Sequence, residues 1–328
     1  MDYHMTFWNL ENLFDIEHSP RRTEKLQRAI GSDIKGWGPT QLNNKLDQLN
    51  HIIIQLNNGK GPDILGVCEV ENAHVLNLLI QKMGVLNRNY ALVHDDSDDR
   101  RGIDVAFIYD ADLFSVEEEN GEPKVYDHFV LRRTATRDIL QVNFLTKHSQ
   151  GQQRLVLIAN HWPSRSGGQY ESEGYRQIAG ETLSYFHQRI REVHGDDTPV
   201  LAMGDFNDEP FNESLTRFAL ALRSRARVVR GRIPYFLNLM WPLMDYGTAS
   251  FYFGNQPNMI DQFLANENML KSNSAIKIVP DSVCIERFPE MVKPGAYGVP
   301  KHFGGMGKTI VTDGYSDHYP ISVKLRES

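Results

Sequence analysis

Apolar runs that stop at a polar, chemistry-bearing residue constrain this chain most. Thr198-Pro-Val-Leu-Ala-Met203 reads as a buried strand closed by Gly204, with Asp205-Phe206-Asn207 following at once. In extended backbone, residues i and i+2 point the same way, so Asp205 and Asn207 are expected to address one object from one side. A carboxylate that only accepts, beside an amide that also donates, suits a phosphate, a divalent cation and an attacking water. The competing structural reading is a strand end followed by an Asx turn.

The pattern recurs. Tyr3 to Leu10 reads as a strand with Asn9 near its end, and Asn9 and Glu11 are expected on one face. Asp63 to Val70 is continuously apolar except for Glu69, and a buried, unpaired carboxylate is costly enough to demand a cation, a partner or a sheet edge. Glu71 is a lesser candidate. Gly102 to Tyr109 embeds Asp104, for which a histidine is a natural partner. Leu155 to Asn160 stops at His161, before a loop that carries Pro163, Arg165 and Gly167-Gly168. Asp261 lies in a strand read over Asn258–Ala265, and Asp317-His318 precede a last strand, Ile321–Leu325. Each residue alone has a structural explanation. Together they predict convergence, because ligands bind where strand ends meet in α/β folds.

Between these strands the apolar spacing predicts helices over Thr40–Leu56, Asn72–Met83, Glu171–Val193 and Pro210–Leu222. Arg176 is expected in a surface or inter-element ion pair. Residues 113–147 alternate as antiparallel strands do, 223–248 read as irregular, and 286–314 as a long loop that covers the site. Residues 15–40 read as a loop with one helical turn at Arg22–Ile30. Strands and helices alternate with no linker or repeat, which predicts a single α/β domain over 1–328.

Composition bounds the chemistry. With 41% hydrophobic and 23% charged residues the chain is globular. A net charge of −7 gives no broad basic surface, so capture of nucleic acid would rest on local charge: Arg100 or Arg101, Arg132, Arg133, Arg165 and the Arg223–Arg232 cluster. Two cysteines make no disulfide framework, and no His-x-x-x-His or cysteine-rich zinc pattern occurs. The donors are oxygens, as a hard cation prefers. The N-terminus runs straight into a strand, and no stretch is long and apolar enough for a transmembrane segment. The chain is therefore expected to be soluble, cytoplasmic or exported after loss of a leader, with no obligate protein partner.

Seven stretches carry a resemblance: W-N-L-E-N-L-F at 8–14, D-I-L-G-V-C-E-V-E at 63–71, R-G-I-D-V-A at 101–106, N-H-W-P-S-R at 160–165, G-D-F-N at 204–207, M-I-D-Q-F-L at 259–264 and S-D-H-Y-P-I at 316–321. In order and nearly end to end, they resemble the endonuclease/exonuclease/phosphatase superfamily, of which DNase I is a member. The resemblance implies a four-layer α/β/β/α sandwich, DNase I-like, and a metal-dependent phosphoesterase. It implies that Glu69, with Asn9 and Asp317, holds Mg²⁺ or Mn²⁺. Asp205 would orient and deprotonate the attacking water, and Asn207 would hold phosphate or water. His318, oriented by Asp261, and His161 would face the phosphoryl group. Asp104 would stand behind His161, or else pair with Arg100 or Arg101, and Arg165 would contact substrate. The substrate is a phosphate ester, with nucleic acid, phospholipid and small phosphomonoesters all open. A catalytically silent scaffold is the reading from another class.

Overall fold

Alternation along the first strand sorts two cores. Tyr3, Met5 and Phe7 point inward, against Phe144, Leu157, Met203 and Phe263 of a second sheet. Trp8 and Leu10 point outward, beneath Leu46, Leu49 and Leu76 of two helices. The computed structural model describes residues 1–328 except 97–101, 129, 131–138, 149–150 and 245–247. Arg100, Arg101, Arg132 and Arg133 thus lie outside the described residues.

The first sheet runs Ile276–Ile278, Ile321–Glu327, Asp2–Leu13, Ile64–Val70, Asp104–Asp110, Tyr90–His94, with Cys284–Ile285 also paired to Ile321–Glu327. The second runs Ala221–Leu222, Phe236–Asn238, Asp261–Asn266, Val200–Asp205, Arg154–His161, Ile139–Thr146, Phe114–Val116, with Val125–His128 also paired to Ile139–Thr146. Each sheet has a central parallel pair, Asp2–Leu13 with Ile64–Val70 and Arg154–His161 with Val200–Asp205. Pro39–Ile53 and Ala73–Lys82 cover the outside of the first sheet. Gln169–His194 buries Ala179, Leu183 and Ile190 on the outside of the second. The expected α/β/β/α layering is what forms.

The parallel pairs position the site. Their C-terminal ends carry Asn9, Glu69, His161 and Asp205, while antiparallel neighbours begin at Asp261 and just after His318. Register aligns His161 with Asp205, and Asp205 with Asp261, across three strands. Gly204 allows that closeness, since a Cβ there would stand 2.2 Å from the Asn160 carbonyl oxygen. Gly204→Ala must therefore push two central strands apart. We expect it to cost about 1–3 kcal/mol, as overpacked cores do. Urea unfolding of variant and parent checks this.

Several expectations need correction. The helix over Pro210–Leu222 is not formed; the segment holds one π turn, Ser214–Phe218, and an edge strand, Ala221–Leu222. Its polar side chains bond locally instead, with Asn212 Oδ1 accepting from Glu209 N at 2.7 Å and Ser214 Oγ donating to Asp208 at 2.6 Å. The strand read over Asn258–Ala265 is two strands. Gln256–Asn258 closes a hairpin with Phe251–Phe253, and Asp261–Asn266 joins the second sheet. Residues 223–248 include a helix, Arg225–Arg230, and a strand, Phe236–Asn238. Glu24–Ile30 is helical, close to the expected turn.

Candidate active site

The strands carrying the site do not end cleanly. Register shifts occur between Asn9 and Leu13 and between Cys68 and Val70, and Glu11, Asn12, Glu69 and Asn207 all have positive φ. Bulges and left-handed, non-glycine residues re-aim side chains and are stored at functional sites. They also revise the face argument. Asn207 at φ 51° leaves the extended geometry, so it turns back, its N–H donating to Asp205 Oδ1 at 2.9 Å. The Asx turn and the functional grouping are one structure here. Glu11 likewise leaves the Asn9 face. Its N–H donates to Asn9 Oδ1 at 3.0 Å, and its buried carboxylate accepts from Phe303 N at 2.8 Å and Gly304 N at 3.2 Å.

Two imidazoles tie the carboxylates together. His161 Nε2 lies 3.6 Å from Glu69 and 3.7 Å from Asp205. His318 Nε2 lies 4.0 Å from Asp205 and 3.9 Å from Asp317, while its Nδ1 meets Asp261 Oδ2 at 2.7 Å. Asn9 Nδ2 donates to Asp205 Oδ2 at 3.2 Å, and Asn12 N to Glu69 at 3.1 Å. Ser316 anchors the last segment, donating to the Asn9 carbonyl at 2.7 Å and accepting from His318 N at 3.1 Å. Trp8 Nε1 donates to the His318 carbonyl at 2.9 Å.

Negative charge is in excess at this point. Burial pushes the Asp205 carboxyl up from 3.8 to about 7, with His318 pulling it down and Asp261 adding to the rise. Burial, then the Asp317 charge, pushes Glu11 up from 4.5 to about 7. Burial alone would lower His318, yet the carboxylates of Asp261, Asp205 and Asp317 carry it from 6.5 up to about 10. Cations gather in response. Lys308 Nζ lies 3.5 Å from Asp317 and 3.8 Å from Glu11. Lys45, fully buried, donates to the Tyr315 carbonyl at 2.7 Å, and burial lowers it from 10.5 to about 8 against the pull of Glu11 and Asp317. A lysine ammonium beside Asp317 and Glu11 shows that a cation suits the pocket. The oxygen donors around it are those a hard divalent ion takes. Asp205, Asp261 and His318 also bring ligand atoms within 4.8 Å of one another. There, however, the imidazolium already serves as the counter-charge.

Asn9, Glu69, His161, Asp205, Asn207, Asp261, Asp317 and His318 therefore come together, as expected. Asp104 sits at the adjoining strand start, where its carboxylate meets His94 Nε2 at 3.2 Å. Arg165 is engaged on the turn after Asp205. Its Nε donates to the Asn207 carbonyl at 2.6 Å, and a terminal nitrogen pairs with Asp208 at 3.0 Å. Asn207 Nδ2 donates to the Trp162 carbonyl at 3.0 Å. Glu71 is structural, held by Arg22 at 2.7 Å. Missed by sequence reasoning were Lys308, which reaches in from a distant loop, and the anchoring role of Glu11, for which W-N-L-E was the available signal. The loop expected to cover the site does reach it, through Phe303, Gly304 and Lys308. Arg176 is fully buried and pairs with Asp208 at 2.8 Å. We expect Arg176→Ala to cost about 3–5 kcal/mol, because it strips a buried carboxylate of a partner; the denaturation midpoint tests this.

A sequence profile described as the Endonuclease/Exonuclease/phosphatase family matches residues 4–327. The chain belongs to that family. Its members are phosphoester hydrolases. A search of curated protein sequences returns no match. Among solved structures, a humanized Danio rerio TDP2 is similar over 99% of each chain, at 13% identity and TM-score 0.58. A mannosyl-6-phosphatase of Bacteroides thetaiotaomicron is similar over 99% of each chain, at 13% identity and TM-score 0.55. The human Nocturnin catalytic domain, with bound sulfate, is similar over 100% of this chain and 95% of that one, at 13% identity and TM-score 0.51. At these identities the likeness is one of fold. Among the described residues, no helix is long and apolar enough to cross a membrane.

Proposed function

We propose that this family member is a divalent-metal-dependent phosphoesterase that hydrolyses a phosphodiester by in-line attack of water. The observation that carries the reading is the convergence of Glu69, Asp205 and Asp317 on the His161 and His318 imidazoles. Asp205, raised by burial, takes the proton of the attacking water and holds that water through its carboxylate. Asn207, fixed by its turn and with Nδ2 donating to the Trp162 carbonyl, offers its amide oxygen as acceptor to the same water. His318, kept protonated by Asp261, and His161 donate to phosphoryl oxygens as charge develops. Asp104 is paired with His94, and Arg165 secures Asn207 while bordering the substrate. Glu69, Asp317 and Asn9 would hold Mg²⁺ or Mn²⁺. The ion would polarise the phosphoryl group and offset its negative charge.

The test is turnover of bis-p-nitrophenyl phosphate with Mg²⁺ or Mn²⁺, with and without chelator. Hydrolysis that needs the ion and stops with chelator is expected. Equal hydrolysis in chelator would overturn the metal assignment, and no turnover of any phosphate ester with either ion would favour the scaffold.

Lys308 favours a second reading, a phosphomonoesterase. Its side chain is half exposed beside Asp317, whereas burial lowers the pKa of His302 on the same loop, so the charge added there is that of Lys308. Added positive charge at the rim suits a dianionic phosphate. The similar structures include a D. rerio TDP2 with a single-strand DNA product as well as the mannosyl-6-phosphatase, so both ester types occur on this fold. A monoester hydrolysed faster than the diester, with the preference lost in Lys308→Ala, would select this reading.

A further inference from the structure

A second cavity, of about 740 Å³, opens at the edge of the sandwich where Ile276–Ile278 of one sheet nears Phe236–Asn238 of the other. No residue of the catalytic site lines it. Its size falls in the range of small-molecule sites, roughly 300–1,000 Å³. The walls are apolar, with Leu237, Leu239, Leu243, Met269, Ile278 and Val283 among them. The rim is cationic: Arg223, Arg225, Lys271, Lys277 and Arg326 line it, against one acid, Asp281, and of these Arg326 is paired with Asp2 at 2.6 Å. Lys271 is tied to Glu267 at 3.4 Å. Among the described residues, Arg223, Arg225 and Lys277 have no carboxylate within ion-pair distance. Arg225 donates to the Leu270 carbonyl and Lys277 to the Ser272 carbonyl at 3.1 Å. Arg223 lies over the Trp241 ring, 5.2 Å from its centroid.

This concentration is unusual for a chain of net charge −7. It continues along the neighbouring helix, where Arg227 and Arg230, then Arg232, also lack a carboxylate partner among the described residues. Cations that outnumber the acids around an apolar hollow, among the described residues, complement a ligand that is apolar along its length and anionic at one end. A nucleic-acid backbone would use the arginines and leave the hollow empty. We propose that this cavity binds an anionic amphiphile, its alkyl chain between the sheet edges and its carboxylate or phosphate head against Arg223, Arg225 and Lys277. The inference is independent of the catalytic reading.

Trp241 supplies the readout. The chain has four tryptophans, and Trp8, Trp37 and Trp162 are 0%, 4% and 1% exposed. The full chain is titrated with 9,10-dibromostearate below its micelle concentration, following tryptophan fluorescence. Saturable quenching is expected, absent in Trp241→Phe. Binding should weaken by about tenfold or more in Arg223→Glu and Lys277→Glu, and with the uncharged methyl ester, because each removes a charge-assisted contact. Thermal midpoints and circular dichroism spectra near those of the parent show the variants folded. Vesicles of brominated phosphatidylglycerol form the second arm. Quenching by both probes assigns lipid as a source, and quenching by dibromostearate alone assigns free amphiphile. Quenching that persists in Trp241→Phe, does not saturate, or is matched by the methyl ester would overturn the proposal. Binding of an oligonucleotide through Arg223 without quenching by either probe would also overturn it.

Discussion

Asp205→Asn is expected to lower turnover of a phosphodiester by about 10²–10⁴, the span a positioned general base contributes. The substitution keeps the side chain's size, and asparagine still accepts the Asn207 N–H, so the turn survives. What is lost is the group that takes a proton. Stability should move the other way. Burial raises the Asp205 carboxyl from 3.8 to about 7, so the folded state binds more protons than the unfolded state between those values. Folding stability therefore falls as pH rises through that window, and the cost stays in full above it. At pH 8 the Asp205→Asn protein should melt higher than the parent in the absence of divalent ions while turning over far less. Parallel kcat and thermal-melt measurements at pH 8 decide the matter. Turnover near that of the parent would remove Asp205 from its role, and a lower melting temperature would show the carboxylate to be a structural support.

Asp261→Asn is expected to cost about 10²–10³ in turnover, the worth of one charge stabiliser, without touching substrate. Its effect passes through His318. Burial would lower the imidazole, and Asp261, followed by Asp205 and Asp317, brings it up from 6.5 to about 10. Without the 2.7 Å contact to Asp261, the imidazole loses its largest upward push and keeps only those of Asp205 and Asp317. The alkaline limb of the parent's rate profile, near pH 10, should move toward neutrality in Asp261→Asn. The linked stability has a definite sign: a histidine raised in the folded state stabilises fully below about 6.5, and that contribution disappears as pH climbs through about 10. Melting temperature against pH should show this decline in the parent and a much smaller one in the variant. A loss of turnover with an unmoved alkaline limb would make Asp261 structural alone.

Much of the site was legible because its residues break a pattern. A carboxylate such as Glu69 or Asp261 inside an apolar run has no cheap place in a core, so its position in the chain already signals a partner. His161 and Asp205 stop their strands side by side, which follows from two parallel neighbours of similar length. Local rules failed where the backbone left regular geometry. The period of two put Asn207 beside Asp205 and Glu11 beside Asn9, yet positive φ turned both away from those faces. Pro210–Leu222 had helical spacing, but Asn212 and Ser214 bond to Glu209 and Asp208 within the turn, and helical backbone is confined to the π turn Ser214–Phe218.

The order of apolar runs and their polar ends pointed to an α/β fold and to residues that meet in one pocket, because hydrophobic periodicity acts locally and each strand carries its own terminal residue; the two-sheet sandwich was what the family resemblance implied. Tertiary structure alone decided which groups pair and at what charge. Lys308 reaches Asp317 and Glu11 from a separate loop, Asp104 meets His94, and Arg165 is drawn onto the Asn207 turn. Those outcomes depend on desolvation and on distances between segments far apart in the chain, to which neither composition nor spacing is sensitive.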